Sequence, residues 1–138
     1  MKKKILIPIV VALAVVILGI VLYNIPKTFG KSVDAAGVDH IDVFDGNTGV
    51  GFTITDPEDI RNIVENIKSH PMKRAGISLF YMGYSFRIKL KDSNDKNIIP
   101  EFILNSDNTI RKDPFFYRCD SGLCYEYLEQ MKDKYAGQ

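Results

Sequence analysis

The pattern of hydrophobic and polar positions divides the chain into two unlike parts. From Ile5 to Tyr23 the sequence has no charged residue and is dominated by leucine, isoleucine, valine and alanine. As a helix with a rise of roughly 1.5 Å per residue, this run would span about 28 Å, close to the roughly 30 Å hydrocarbon core of a bilayer. Tyr23 suits the far interface, and Pro26 would stop the helix. We therefore predict a membrane-spanning helix within residues 1–26.

The residues that flank this run predict its orientation. Lys2, Lys3 and Lys4 precede it, and the positive-inside rule keeps such a cluster in the cytoplasm. A cleaved signal peptide is the main alternative, but the one acceptable cleavage site, Val33-Asp34-Ala35, lies well beyond the apolar run. We expect a single-pass signal-anchor in the cell membrane, with secretion after cleavage as the second possibility and a buried core helix as the third.

The next segment has the composition of a linker. Residues 27–37 contain two glycines and a serine and show no apolar period. Such a composition favours flexible chain over regular structure. We predict a linker over residues 27–37, followed by an extracytoplasmic domain over residues 38–138.

The first part of that domain has the pattern of a hairpin followed by a helix. Val38 to Phe44 is typical of a strand, Asp45 to Gly49 has the turn chemistry of a hairpin, and a second strand begins at Val50. Asp56 suits a helix N-cap with Pro57 at the first helical position. The helix should present one apolar stripe, formed by Ile60, Ile63, Val64 and Ile67.

The second part predicts strands followed by a terminal helix. Tyr84 to Lys91 alternates strictly between apolar and polar residues, and Asn97 to Leu104 is a further strand-like run. Two short strands around Ile110 and Phe116 should precede a helix ending near Tyr135. The apolar face of this helix comprises Cys124, Leu128, Met131 and Tyr135. The predicted fold is α+β: a mostly antiparallel sheet of about five to six strands with two packed helices, in the order ββα-ββββ-α.

Charge separates the same two parts. The 138-residue chain has a net charge of +1, from 18 basic and 17 acidic residues. Residues 1–37 contain five of the basic and one of the acidic residues, a net of +4, which leaves 13 basic and 16 acidic residues beyond them, a net of −3. Nucleic-acid binding is disfavoured, because the outer domain is mildly acidic.

Several runs resemble a known but uncharacterised group of proteins. These runs are 53–60, 81–86 and 105–111, together with Phe116-Tyr117. They are similar to a family of small membrane-anchored or exported domains of Gram-positive bacteria, over roughly residues 38 to 130. The resemblance implies an extracytoplasmic location in such a cell and brings no activity or ligand with it. The two cysteines depart from the family pattern.

Cys119 and Cys124 leave two possibilities open. A disulfide is plausible outside the cytoplasm and would join the last strand to the terminal helix. Two reduced thiols are the alternative. A redox-responsive module is a third functional possibility, but the spacing is not Cys-x-x-Cys.

The patterns for metals, cofactors and catalysis are weak. His40 and His70 are isolated in the sequence, and the loop Asp92–Asn97 begins like a calcium loop but lacks its glycine. No Gly-x-Ser-x-Gly motif is present. We predict no metal site, no cofactor and no catalytic residue, with a cell-envelope enzyme or an enzyme accessory as the alternative.

Aromatic residues form the most suggestive candidate site. Consecutive rings on one strand cannot all point into the core, so some of Phe80, Tyr81, Phe115 and Tyr117 should be exposed unless another element covers them. Exposed aromatic residues are typical of binding surfaces. The sequence thus favours a non-enzymatic, membrane-anchored extracytoplasmic binding domain whose partner is a protein or a cell-envelope component.

Overall fold

An apolar helix precedes an antiparallel sheet with two helices packed on it. The structure is a computed structural model that describes residues 2–137, with side chains from residue 5 onward. Its elements are α1 (Lys2–Asn24), a single 3-10 turn (Ala35–Gly37), β1 (His40–Asp45), β2 (Val50–Ile54), α2 (Pro57–Lys68), β3 (Lys73–Ile77), β4 (Phe86–Lys91), β5 (Phe102–Ser106), β6 (Thr109–Lys112), β7 (Phe115–Arg118) and α3 (Tyr125–Tyr135). The predicted α+β class is confirmed.

All seven strands belong to one sheet in the order β2-β1-β4-β5-β6-β7-β3. Every neighbouring pair is antiparallel. Strands β2, β4, β6 and β3 therefore run in one direction, and β1, β5 and β7 run in the other. The first hairpin forms one edge of the sheet, and β3 forms the opposite edge.

The alternation along the strands decides which face is buried. In β4, Phe86, Ile88 and Leu90 are buried, whereas Arg87 and Lys89 lie on the other face and are partly exposed. The alternation agrees with the prediction, although β4 begins at Phe86 instead of Tyr84. The buried side chains form one hydrophobic core with the stripes of α2 and α3.

The β1–β2 turn shows how local chemistry fixes a hairpin. The Asp45 carboxylate accepts hydrogen bonds from the Asn47 amide at 2.9 Å and the Thr48 hydroxyl at 2.7 Å. Gly49 has a φ of +74°, a conformation that glycine adopts without steric cost. The predicted turn is therefore formed by the residues that the sequence indicated.

Both helices of the domain pack on the same face of the sheet. Asp56 caps α2 by accepting hydrogen bonds from the amides of Glu58 and Asp59, as predicted. The side chain of Asp59 joins α2 to α3, because it accepts hydrogen bonds from the hydroxyls of Tyr127 at 2.6 Å and Tyr135 at 2.7 Å. Helix α3 begins at Tyr125, whereas the sequence pattern predicts a start at Asp120 or Ser121.

Strand β3 was absent from the predicted fold. Its sequence, Lys73–Ile77, has no buried side chain, so it lacks the apolar alternation that identifies a half-buried strand. Pairing with β7 makes it a strand, with a shift of register between Arg74 and Gly76. The sheet consequently has seven strands instead of five to six.

Residues 27–37 form part of the folded domain, and their description as a flexible linker is corrected. Lys27 and Met72 exchange two backbone hydrogen bonds of 2.7 and 2.8 Å. Phe29 and Val33 are buried in the core, where the ring of Phe29 packs edge-on against Tyr117. Composition concealed these contacts because two large apolar residues in eleven give no recognisable period.

Candidate functional site

Helix α1 projects from the domain with its apolar side chains exposed from Ile5 onward. The segment Ile5–Asn24 has 20 residues and a mean hydropathy of 3.3, and its most apolar window has no buried residue. In water, so large an apolar surface would be strongly unfavourable. The helix is long and apolar enough to cross a bilayer.

Arg74 of β3 joins the end of α1 to the sheet. Its guanidinium donates hydrogen bonds to the carbonyl oxygens of Leu22 at 3.0 Å and Tyr23 at 2.8 Å. A cation at this position satisfies carbonyl groups that have no partner within the helix and favours the negative end of the helix dipole. The domain therefore sits directly at the end of α1.

Aromatic rings complete this junction. The ring of Tyr23 packs edge-on against Phe115 at a centroid distance of 5.8 Å. The guanidinium of Arg74 lies 5.2 Å from the centroid of Phe115 and 5.7 Å from that of Tyr23. We call Tyr23, Lys27, Arg74 and Phe115 the junction. It combines two aromatic rings and two cations, groups that favour the interface between lipid and water.

An exposed apolar loop begins at the last residue of β3. We define residues 77–82 as the apolar loop. Three of its side chains are far more exposed than is usual for large apolar residues: Phe80 at 97%, Met82 at 88% and Ile77 at 70%. Contiguous exposed apolar groups of this kind mark surfaces that contact another phase or another molecule.

Phe80 has an unusual backbone conformation as well. Its φ is +68°, in the left-handed region that a bulky residue other than glycine rarely adopts. Holding such a residue there costs on the order of 1–2 kcal/mol. The strained conformation directs a large ring away from the rest of the chain.

Polar contacts hold the two ends of the loop in place. Ser78 donates its amide to Pro114 at 2.8 Å and its hydroxyl to Asp113 at 2.6 Å. Arg111 of β6 donates to the carbonyl oxygens of Tyr81 and Gly83, each at 2.9 Å. The ring of Tyr81 also packs on Phe116. The loop is thus a defined structure with an exposed tip.

The four predicted surface aromatics have different environments. Phe80 and Tyr81 are exposed, whereas Phe115 is half-buried against Tyr23. Tyr117 is only 4% exposed and belongs to the core, so its assignment to a binding surface is wrong. Its register on β7 directs it toward Phe29, which the sequence had placed in a linker. Ile77, Leu79 and Met82 were missed, although the uncharged run around Phe80 was visible in the sequence.

Cys119 and Cys124 are both free thiols and are not close enough to bond. Cys124 is buried in the core, whereas the sulfur of Cys119 faces the carbonyl oxygens of Asn108 and Ser121. Burial raises the pKa of Cys124 to about 12 and also raises the pKa of Cys119. Both thiols are thus weaker acids than an ordinary cysteine, and thiol–disulfide exchange proceeds through the thiolate.

Among the residues that the structure describes, one group of three has ligand atoms close enough together to consider a metal ion. The nearest ligand atoms of His40, Asp42 and Asp95 lie within 4.8 Å of one another. His40 is already hydrogen-bonded to Asp39 at 2.9 Å. This hydrogen bond and the nearby carboxylates raise the pKa of His40, which favours the protonated ring that cannot ligate a metal. An ion-paired histidine accounts for the cluster.

A groove of about 650 Å³ lies between the 3-10 turn, the start of α2 and the β4–β5 turn. Its carboxylates, Asp39 and Asp92, both have partners: Asp39 pairs with His40, and Asp92 accepts from the amides of Asn94 and Lys96. A general acid or base needs a carboxyl group available to substrate. The groove therefore offers no argument for catalysis.

No protein-family model, curated protein or solved structure matches this chain.

Proposed function

We propose that the protein is a membrane-anchored extracytoplasmic binding domain without catalytic activity, and that the apolar loop is its binding element. Helix α1 would hold the domain on the membrane, with Lys2, Lys3 and Lys4 in the cytoplasm. The resemblance to a Gram-positive family of anchored domains agrees with this arrangement and stays a prediction.

The packing of residues 27–37 supports a retained anchor over a cleaved signal. Cleavage at Val33-Asp34-Ala35 would separate Phe29 and Val33 from the domain whose core they fill. Losing a buried phenylalanine side chain alone costs roughly 3–5 kcal/mol. The domain is therefore expected to keep the segment that leads back to α1.

The single observation that carries the binding role is Phe80, an exposed ring in a strained conformation. The fold gains no packing from a side chain that is almost fully in solvent, yet it bears the cost of a positive φ at that position. Such a combination is best explained by a contact that the ring makes outside the folded chain.

The topology is tested with single cysteines in a chain whose native cysteines are replaced. Lys3→Cys marks the N-terminal end, and Asn94→Cys marks an exposed turn of the domain. A membrane-impermeant maleimide applied to intact protoplasts should label position 94 and leave position 3 unlabelled. Labelling of position 3 alone, or recovery of the chain in the soluble fraction, would contradict the proposal.

The binding role is tested with a photo-crosslinking benzophenone amino acid. Placed at position 80 in living cells, it should form an adduct on illumination. The matched control is position 47, an exposed residue of the β1–β2 turn, where no adduct is expected. A loop that yields no adduct of any kind would rule out the binding element.

A further inference from the structure

We infer that the apolar loop is a second membrane contact, inserted into the extracytoplasmic leaflet of the bilayer that α1 spans. The inference rests on the proposed function and names the partner of the loop: the acyl-chain and headgroup boundary of the lipid, beside the anchor.

The direction of the chain at the junction places the end of α1 beside the end of β3. The Lys27–Met72 bridge is antiparallel, so passing back from Lys27 toward Tyr23 leads the same way as passing forward from Met72 along β3. Tyr23 accordingly packs on Phe115, the register partner of Ile77. The end of α1 and the end of β3 therefore meet at one end of the sheet, where the apolar loop begins.

The loop has side chains that suit the boundary between lipid headgroups and acyl chains. The sequence from Ile77 to Gly83 contains no charged residue, and its side chains are isoleucine, serine, leucine, phenylalanine, tyrosine and methionine. Aromatic and aliphatic groups of this kind are stable at the boundary between headgroups and acyl chains. A rigid turn with Phe80 at its exposed tip can enter that boundary without unfolding.

The charges around the loop suit the same location. Asp113 is an acidic residue beside it, and its Oδ1 accepts a hydrogen bond from the Ser78 hydroxyl at 2.6 Å and lies 3.6 Å from Nε of Arg111, so its negative charge has a cationic partner. The junction contributes two cations, Lys27 and Arg74. Cations that flank an apolar insertion interact favourably with lipid phosphates.

Continuity with the anchor favours lipid over a protein or a second copy of the chain. The loop begins at the strand end that contacts the last turn of α1, so an inserted α1 brings the loop to the bilayer surface. Because an inserted α1 already holds the loop beside the bilayer, a protein or a second copy of the chain would first have to displace lipid from the loop.

The test uses tryptophan, which the natural sequence lacks. Three full-length variants each carry one: Phe80→Trp in the loop, Tyr23→Trp at the end of α1, and Asn47→Trp in the β1–β2 turn. Because β1 runs opposite to β3, that turn lies at the other end of the sheet. Each variant is reconstituted into vesicles of phosphatidylcholine and phosphatidylglycerol, with or without bromine on the acyl chains, and its fluorescence is measured.

Bromine should quench tryptophan at positions 23 and 80 and should leave tryptophan at position 47 unchanged. If bromine quenches tryptophan at position 23 but not at position 80, the loop does not enter the lipid: the inference is overturned and the anchoring proposal stands. This holds whether the tryptophan at position 80 emits as in water or is shielded by protein. If position 23 is not quenched, the anchoring proposal itself fails. Equal quenching at all three positions would also overturn the inference, because the loop would then have no special position.

A charge in the loop gives a second measurement. In a chain that carries Met82→Trp, the reporter is two residues from the tip, and Phe80→Asp should abolish its quenching by brominated lipid. Unchanged quenching of this reporter would mean that the tip does not set the depth of the loop, against the inference.

Discussion

At the tip of the apolar loop, the exposure of the Phe80 ring conflicts with the unfavourable backbone conformation of the same residue. Its ring is exposed, so the folded chain gains little from the side chain, yet the backbone is held at a φ of +68°. If stability favours one residue at position 80 and an external contact favours another, a substitution at this position should improve stability and impair the contact.

Replacing Phe80 by glycine should therefore stabilise the domain. Relief of the left-handed conformation is worth about 1–2 kcal/mol, and the extra flexibility of unfolded glycine removes about 0.5–1 kcal/mol. We expect the free energy of unfolding to rise by roughly 0.5–1 kcal/mol, as measured by urea denaturation in detergent micelles. Leu79→Gly is the matched control, since Leu79 is exposed but lacks a positive φ. It should lower the stability, and a similar loss in both variants would contradict the argument.

The carboxylate of Asp59 joins helices α2 and α3 through its hydrogen bonds. Burial works to raise the pKa of its carboxyl group, but hydrogen bonds from Lys134, Tyr127 and Tyr135 outweigh it and hold the pKa below 3.8. A lowered pKa in the folded state means that the stabilisation is present above the ordinary pKa and is lost as the pH falls through the lowered one. The relevant window therefore lies below about pH 4.

Replacing Asp59 by asparagine should remove most of this contribution. Hydrogen bonds to a charged group contribute roughly 1.5–3 kcal/mol, and we expect Asp59→Asn to lower the unfolding free energy by about 2 kcal/mol at neutral pH. The difference between the two proteins should shrink as the pH falls below about 4 and the native carboxylate is protonated. A difference that stays constant over this range would show that the ionised form has no special role.

Single residues also show what a sequence can and cannot indicate about a surface. The exposure of one of Phe80 and Tyr81 could be predicted because consecutive rings on a strand cannot share one buried face. The burial of Tyr117 could not, because the ring that covers it, Phe29, comes from a segment far away in the chain. Exposure depends on the covering element as well as on the local pattern.

At the scale of elements, those with an internal pattern were predictable. Helix α2 has its own cap and apolar stripe, and β4 has its own alternation, so both follow from nearby residues. Strand β3 and residues 27–37 have no such pattern, and they acquire their structure from partners: β7 for the first, Met72 and the core for the second. Both cations of the junction, Lys27 and Arg74, come from these two segments, so its geometry was not accessible from the sequence.

Phe29 tests whether residues 27–37 belong to the folded domain. Its ring lies against Phe102 and Tyr117 in the core, so Phe29→Ala should lower the unfolding free energy by roughly 3–5 kcal/mol. Lys31→Ala, in an exposed turn of the same segment, should change it by less than about 0.5 kcal/mol. Urea denaturation of the full chain measures both. Equal, small effects would restore the description of the segment as a linker.

At the scale of the whole molecule, the structure connects the parts into which the sequence pattern divides the chain. The sequence separates an anchor, a linker and a domain, whereas the structure joins them. Arg74 binds carbonyl groups in the last turn of α1, Lys27 pairs with Met72 beside β3, and the residues that follow Lys27 help to fill the core. With α1 in a bilayer, as proposed, these contacts would hold the domain at a fixed height and orientation above the membrane, which a flexible tether would not provide. A fixed orientation of this kind is what the inferred contact between the apolar loop and the lipid requires.

Arg74 should be the residue that maintains this orientation. Replacing it by methionine keeps an apolar stem but removes the guanidinium, so the carbonyl groups at the end of α1 lose their partner. Two hydrogen bonds from a charged donor would be lost, and we expect local opening of the Lys27–Met72 bridge to become easier by about 1.4 kcal/mol, or roughly tenfold. Amide hydrogen exchange of peptides covering Lys27 and Met72 should accelerate accordingly in lipid nanodiscs, while peptides from β4 keep their protection. Arg118→Met, on the exposed end of β7, is the matched control and should leave both unchanged. Unaltered exchange at Lys27 in the Arg74 variant would mean that the rings of Tyr23 and Phe115 alone hold the domain in place.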